Sequence, residues 1–348
     1  MHIPHSKPFL DDNDIKSVMR VLESAYLSSG PLCKKFGQKT AEIFERKFAL
    51  PTQSGTDALT LALFALNLRP ESKIAIPAYI CSALLDALKL NSLIPEPVDI
   101  SKSTLAIDPI LVNGLGDNAA AVIGAHLFGI PAPLHKINHP LLIEDCAQTI
   151  NAENDGVKTG TSGILTVCSF YATKLLTTGH GGAVITDNID FYTRMSENIN
   201  HDNNPLWTPH FHFQLSDFNA SLGLSQIKKL DMLIERRRDI ALRYHTALGT
   251  ASCFKLSESY SRFVVIAEEG AEKLIHKFIS AGIEAKRPVF KPVHRYLNLP
   301  EKNFPNAEWA YSNIVSIPLY PAMTELEIEY IENFLEKHKN EMRCRASA

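Results

Sequence analysis

Lys174 stands in a short polar turn, Tyr171-Ala172-Thr173-Lys174, between two apolar runs that read as strands, Ile164 to Phe170 and Ala183 to Thr186. Lysine is almost never fully buried unless it is paired or neutralised. A lysine between two buried strands is therefore either a surface loop residue or a group held for its chemistry. Kept neutral, its amine attacks carbonyl carbon and forms a Schiff base. Upstream, the apolar run Leu141-Leu142-Ile143 ends in Glu144-Asp145-Cys146-Ala147-Gln148. Ligands of open α/β sheets sit outside the carboxyl ends of the strands, and Asp145 falls at such an end. Its alternative role is a helix N-cap, for which aspartate is favoured. A third stretch, Gln53-Ser54-Gly55-Thr56-Asp57, is a small-residue turn opening an apolar helix. Backbone N–H groups at a helix start attract phosphate, and glycine lets the backbone approach closely.

A lysine for an aldehyde, a carboxylate for a pyridinium nitrogen and an N–H cradle for a phosphate are together what pyridoxal phosphate requires. The motifs, in their order along the chain, resemble the DegT/StrS family of pyridoxal-phosphate-dependent sugar aminotransferases, of fold type I. The resemblance runs through Ile3 to Pro8, Leu27-Ser28-Ser29-Gly30-Pro31, Ser54 to Leu59, Pro77-Ala78-Tyr79 and His126-Leu127-Phe128-Gly129. It continues through Glu144 to Gln148, Ser169 to Lys174, Phe304 to Glu308 and Ile317 to Pro321, and so covers nearly the whole length.

The resemblance implies an α/β chain with a mostly parallel central sheet, helices on both faces, and a smaller C-terminal α+β domain. It also implies a role for each site residue. Lys174 would hold the cofactor and later move the proton. Asp145 would pair with the ring nitrogen, and Gln148 would sit near the phenolic oxygen. Gly55 and Thr56 would give N–H groups to the phosphate, and Ser169 its hydroxyl. The active chain would be a homodimer with shared sites, and His212 stands where the family usually places an asparagine that reaches the partner's phosphate. The reaction implied is transamination, from an amino acid donor such as glutamate to a keto-sugar acceptor, nucleotide-linked. A related sugar dehydratase would carry histidine in place of Lys174, and a non-catalytic sensor would retain the fold without turnover. The chain departs from the family at Cys81, where an aromatic ring usually stacks on the cofactor, and at Gly179-His180-Gly181-Gly182, usually Gly-Glu-Gly-Gly. These departures lie at the outer rim, while Lys174 and Asp145 are kept.

At 348 residues the chain can bury a large core and reads as two domains, 1–234 and 235–348. Apolar and charged contents of 45% and 21% are those of a soluble globular protein. A formal net charge of -3 gives no basic footprint for nucleic acid. The six cysteines form no Cys-x-x-Cys pair, which suits reduced thiols in the cytoplasm. We expect no secretory leader at Met1-His2-Ile3-Pro4-His5, and no apolar run reaches the roughly 18 residues of a membrane span. The spacing of His210 and His212 would suit a metal, but no acidic or cysteine ligands accompany them, so no metal is expected. His126, at a strand end, is open between a core role and the site.

The elements that must position these residues follow from period and punctuation. Asp11-Asp12-Asn13-Asp14 caps a helix to about Ala25. A second amphipathic helix is expected from about Lys34 to Phe48, and a third from Asp57 to Leu66. Strands are expected at Lys73 to Pro77, Glu96 to Ile100, Ala119 to His126 and Leu141 to Asp145, with a helix at Ser82 to Leu90. Strands alternating with helices predict βαβ units. His201 to Phe213 reads as an irregular loop. Ser216-Asp217 caps one long helix running to Tyr244, with the domain change near Ile234. Beyond it lie a strand from Arg262 to Ala267, a helix from Ala271 to Ser280, the stretch Arg287 to Val293 and a last helix from Thr324 to Lys339.

Overall fold

The computed structural model describes residues 1–199 and 210–344. Its frame is a sheet built from β1 (Phe48–Thr52), β2 (Lys73–Pro77), β3 (Ile94–Val98), β4 (Ala121–Ala125) and β5 (Leu142–Asp145). A hairpin of β6 (Glu153–Asn154) and β7 (Val157–Lys158) follows, and then β8 (Leu165–Ser169) and β9 (Gly182–Thr186) complete the sheet. The seven strands lie in the order β1-β9-β8-β5-β4-β2-β3. Five of them, β3 through β8 in that order, are parallel. β9 runs antiparallel to both neighbours, because the loop from β8 to β9 contains no helix to carry a crossover. Every residue of β4 and β9 is buried. Strands covered on both faces read as continuous apolar runs, which is why they are plain in the sequence.

Two expectations need correction on this frame. The second helix is Pro31–Ile43, with Pro31 in its first turn, and Phe48 begins β1 instead of ending a helix. Pro51 inside that five-residue stretch argues against a strand, but β1 is an edge and pairs only with β9, where proline is tolerated. The long helix expected from Asp217 to Tyr244 is two, Asp217–Ile227 and Leu230–Ala247. The break is tied down from outside. Lys229 pairs with Asp11 at 2.7 Å and Asp14 at 2.6 Å, and Gln226 Nε2 donates to Asp14 at 2.9 Å, so the capped first helix Asp12–Ser24 holds the joint.

Leu230 and Ile234 pack with Phe36, Phe44 and Phe170. Ile240, Ala241 and Tyr244, further along the same helix, pack with Phe263 and Phe278. That second core lies on a three-stranded sheet, with β10 (Phe263–Ala267) between β11 (Ile314–Ile317) and β12 (Met342–Cys344), all antiparallel. The helices Ala271–Ser280 and Glu325–His338 pack against it, the latter opened by a Thr324–Glu327 capping box. The helix Pro305–Asn313, β11 and β12 are elements that the sequence reading did not separate.

Three backbone hydrogen bonds join the second sheet to the carboxyl edge of the first. Ser259 N–H donates to Gly129 O at 3.0 Å, Arg262 N–H to Phe128 O at 3.3 Å, and Val293 N–H to Ala78 O at 3.0 Å. Gly129 has φ +86, and a Cβ there would lie 2.4 Å from Tyr260 N and 2.5 Å from Ser261 N. Only glycine admits that approach.

Candidate active site

Lys174 sits in the loop between β8 and β9, and the loop is braced at its base. Phe170 N–H donates to Gly181 O at 2.8 Å, Thr178 N–H to Phe170 O at 2.9 Å, and Lys174 N–H to Tyr171 O at 2.9 Å. Thr177 Oγ1 accepts from Gly179 N–H at 2.9 Å, and Asn219 Nδ2 donates to Thr178 O at 2.8 Å. The side chain of Lys174 is half-buried. Burial pushes its amine below the ordinary lysine value, against the opposing pull of the Cys81 thiol and the Asp145 carboxylate, and the Arg262 guanidinium lowers it further.

Asp145 ends β5, in register with Ala125 on β4 and Val167 on β8. Burial pushes its carboxyl up, against the Ala147 N–H and the charges of Lys174 and His126; the Ala147 bond is 2.8 Å long. The structure thus brings Lys174 and Asp145 together, each displaced toward its neutral form by desolvation. Such paired displacement in a cleft marks a candidate functional site.

The expected phosphate turn lies across from them. Ser54 caps the helix Gly55–Ala65, its side chain accepting from Asp57 N–H at 3.0 Å. Thr52 Oγ1 donates to Ser54 O at 2.9 Å. A Cβ on Gly182 would meet Ser54 O at 2.3 Å, and one on Gly55 would lie 2.8 Å from Ser169 Cβ and 3.1 Å from Ser169 Oγ. Gly55 and Ser169, distant in sequence, therefore meet at one spot, with Thr56 half-buried beside them in the first turn. Gln148 lies three residues past Asp145 and uses its Oε1 to accept Phe128 N–H at 3.2 Å, which fastens the His126–Gly129 loop.

His212 lies apart from this set within one chain. It is exposed, and its carbonyl accepts from Gln53 Nε2 at 3.0 Å, while Phe213 O accepts from Gln53 N–H at 2.8 Å. Phe211 and Phe213 stack at 4.6 Å, with Phe211 edge-on to Phe64. The expected loop over 201–209 lies outside the described residues.

His126 is a core fastening. Its Nδ1 accepts from Ala132 N–H at 2.8 Å, which assigns the proton to Nε2, 2.7 Å from Glu144 Oε1. Glu144 also accepts from Gly160 N–H at 2.6 Å, Ser162 N–H at 2.8 Å and Gly163 N–H at 3.0 Å. Burial alone would raise its carboxyl; the His126 bond and these N–H groups outweigh it and hold the carboxyl below the usual range. Donor atoms of His126, Glu144 and Cys146 lie within 4.8 Å of one another. Those of His126 and Glu144 are taken by these hydrogen bonds, and burial holds the Cys146 thiol well above its ordinary value, so the cluster does not suit a metal.

Sequence reasoning missed two neighbours of the site, Glu144 and Arg262. Alternation along a strand sends Glu144 and Asp145 to opposite faces, so a Glu-Asp pair ending β5 does carry a signal. Arg262 carried none, because only the docking of β10 onto Phe128 brings it near Lys174.

A lysine and a carboxylate at adjacent strand ends of an open α/β sheet, facing a capped helix start, define a fold type I pyridoxal-phosphate-dependent transferase. Within that class the signature of the DegT/DnrJ/EryC1/StrS aminotransferase family matches residues 8–336, and the chain belongs to that family. It is similar to the spore coat polysaccharide biosynthesis protein SpsC of Bacillus subtilis, 28% identical over 94% of each chain. Its fold is similar to that of PseC of Helicobacter pylori, an aminotransferase involved in the biosynthesis of pseudoaminic acid. That likeness has a TM-score of 0.88 and 21% identity, over 98% of this chain and 100% of the other. It is also similar to Spr1654 of Streptococcus pneumoniae in its PMP form, with a TM-score of 0.90 and 21% identity over 98% of both chains. Among the described residues no helix is long and apolar enough to cross a membrane.

Proposed function

We propose that this chain is a sugar aminotransferase that moves an amino group from an amino acid, glutamate in the first instance, to a nucleotide-linked keto-sugar. The observation that carries this reading is the placement of Asp145 at the end of β5 and Lys174 just past the end of the neighbouring β8, close enough for each charge to act on the other. The sugar class is supported by the family and by the names of its polysaccharide and pseudoaminic acid relatives. The cofactor is pyridoxal 5'-phosphate, and the residues fit it: a Cβ on Gly55 would clash with Ser169, so only glycine there brings the helix start beside the Ser169 hydroxyl, where the N–H groups and that hydroxyl suit a phosphate. When bound, it supplies an electron-withdrawing ring that makes the proton next to the reacting nitrogen removable.

The chain's own residues do the rest. Desolvation keeps Lys174 from being a fixed cation, so its amine can take the proton from one carbon and return it to another. Asp145 would face the ring nitrogen and keep its proton. Gly55 and Thr56 N–H groups and the Ser169 hydroxyl would hold the phosphate, and Gln148 would stand beside the phenolic oxygen. The same proposal includes a cytoplasmic homodimer, in which His212 serves the partner's phosphate, and the division of the chain into 1–234 and 235–348. Cofactor loading, borohydride reduction and peptide mapping test it: the label is expected on Lys174, and label on any other lysine overturns the assignment. Turnover of a panel of nucleotide keto-sugars with glutamate then names the acceptor.

A further inference from the structure

Against the Lys174 loop, where the helix Leu230–Ala247 passes it, lies a small cavity of about 10 Å³. The loop gives it Thr173, Lys174 and Thr177, the N-terminal stretch gives Lys7, and the helix gives Leu233 and Arg237. Leu233 and Arg237 are four residues apart and so share one face of that helix. A space of this size takes one water-sized guest. Three cations, Lys7, Lys174 and Arg237, line it, and no carboxylate does.

Arg237 is 4% exposed. Burial pushes its guanidinium down to about 10, with no acid among the described residues near enough to oppose the shift, so it stays charged at neutral pH without a counter-charge. Arg46, almost as enclosed, has Asp187 at 2.8 Å. The hydrogen bonds of Arg237 among the described residues leave from Nη1, to Leu319 O at 2.8 Å and Ser261 O at 3.3 Å. Its Nε–H has no partner. The Gln226 amide, also on the cavity wall, is spent on Phe9 O at 3.0 Å and Asp14 Oδ2 at 2.9 Å. That Asp14 carboxylate is in turn paired with Lys229. A buried charge left unmatched is costly. A water in the cavity would accept from Nε–H but leave the charge unopposed, whereas a monovalent anion answers both.

We propose that this cavity is a site for one monatomic anion, chloride, held by the Arg237 guanidinium against the Lys174 loop. Size and charge give the class. A carboxylate or phosphate needs more room than one water leaves, and three cationic side chains refuse a metal ion. Position gives the anion a task. Arg237 already holds the carbonyls of Ser261 and Leu319 beside the second core, while the cavity is walled by the loop that carries Lys174. An anion there ties that loop to the second core through one side chain. The inference does not depend on which amino group is transferred or to what.

The test uses the full chain loaded with pyridoxal phosphate, so that the phosphate site proposed at Gly55 and Ser169 is filled and a halide response does not arise there. Thermal midpoints are measured at constant ionic strength while sodium gluconate is exchanged for sodium chloride, bromide or acetate. The midpoint is expected to rise by about 2 °C for each tenfold increase in chloride above its dissociation constant, because the anion binds the folded chain alone. Bromide should act as chloride does, and acetate as gluconate does. Arg237→Gln, which keeps a donor and loses the charge, should flatten the halide response. Crystals of wild type soaked in bromide give a second reading by anomalous scattering. A peak beside Arg237 is expected, and it decides the matter even if the variant fails to fold. Equal midpoints in chloride and gluconate, a halide response that survives Arg237→Gln, or a water at this position in the bromide crystal overturns the proposal. A rise with acetate equal to that with chloride also overturns it and gives the cavity to a small carboxylate.

Discussion

At the scale of single residues, Glu144 and Asp145 show how adjacent carboxylates acquire opposite properties. Asp145, half-buried at the strand end, is pushed up by burial against one N–H and the charges of Lys174 and His126, whereas Glu144, fully buried, is surrounded by donors and held down. Glu144 therefore contributes stability that is fully present above the ordinary carboxyl value of 4.5. That contribution is lost as pH falls through the lower folded-state value, because the unfolded chain then binds the proton first. We predict that Glu144→Gln costs about 3 kcal/mol or more near neutral pH, since it removes one partner of a buried pair. The difference from wild type should shrink as pH falls below 4.5, and urea unfolding at a series of pH values between 3 and 7 measures it. A difference independent of pH would mean that packing, not charge, makes the contribution. Asp145 and Lys174 were visible in the sequence as polar residues closing apolar runs, while Glu144, on the other face of the same strand end, drew no role of its own. Arg262 was not visible, since its place depends on where β10 docks.

At the scale of elements, the site is a meeting of three termini: the end of β5, the end of β8 and the start of the helix Gly55–Ala65. The βαβ rhythm made β2, β4 and β5 legible, because strands buried on both faces are short unbroken apolar runs. β1 was not legible, because an edge strand carrying Pro51 looks like the tail of a helix. The joint at Lys228-Lys229 escaped for another reason: helical spacing continues across it, and the break is imposed by ion pairs to Asp11 and Asp14. The closeness of Gly55 to Ser169 yields a prediction at this scale. Gly55→Ala places a Cβ 2.8 Å from Ser169 Cβ, so the helix start or the end of β8 must shift. Cofactor affinity should fall by about 1 to 3 kcal/mol, as for losing a charge-assisted hydrogen bond, with smaller change in the urea midpoint. Absorbance titration with pyridoxal phosphate checks it, and unchanged affinity would remove the helix start from the phosphate site.

For the whole molecule, the exposed position of His212, pinned beside the Ser54 turn through Gln53, suits a contact made to another copy. We predict that His212→Ala weakens cofactor binding by about 1 to 3 kcal/mol, the range for one charge-assisted hydrogen bond, and that sedimentation shows a dimer in wild type and variant alike. Equal cofactor affinities would make His212 an ordinary loop residue.

The three bonds that fix the second sheet over the first are made by main-chain atoms alone, at Ser259, Arg262 and Val293. Val293 also adds its buried side chain to the core around Ile76, Ala78 and Tyr79, whereas Arg262 joins the two halves through its main chain. Arg262 can be exchanged for another residue while its N–H keeps its bond to Phe128 O. The same is true of Lys286, whose main chain bonds to Ser316 in both directions. At such positions alignment rests on the main chain, and a descendant of this chain can change the side chain without relearning how to close.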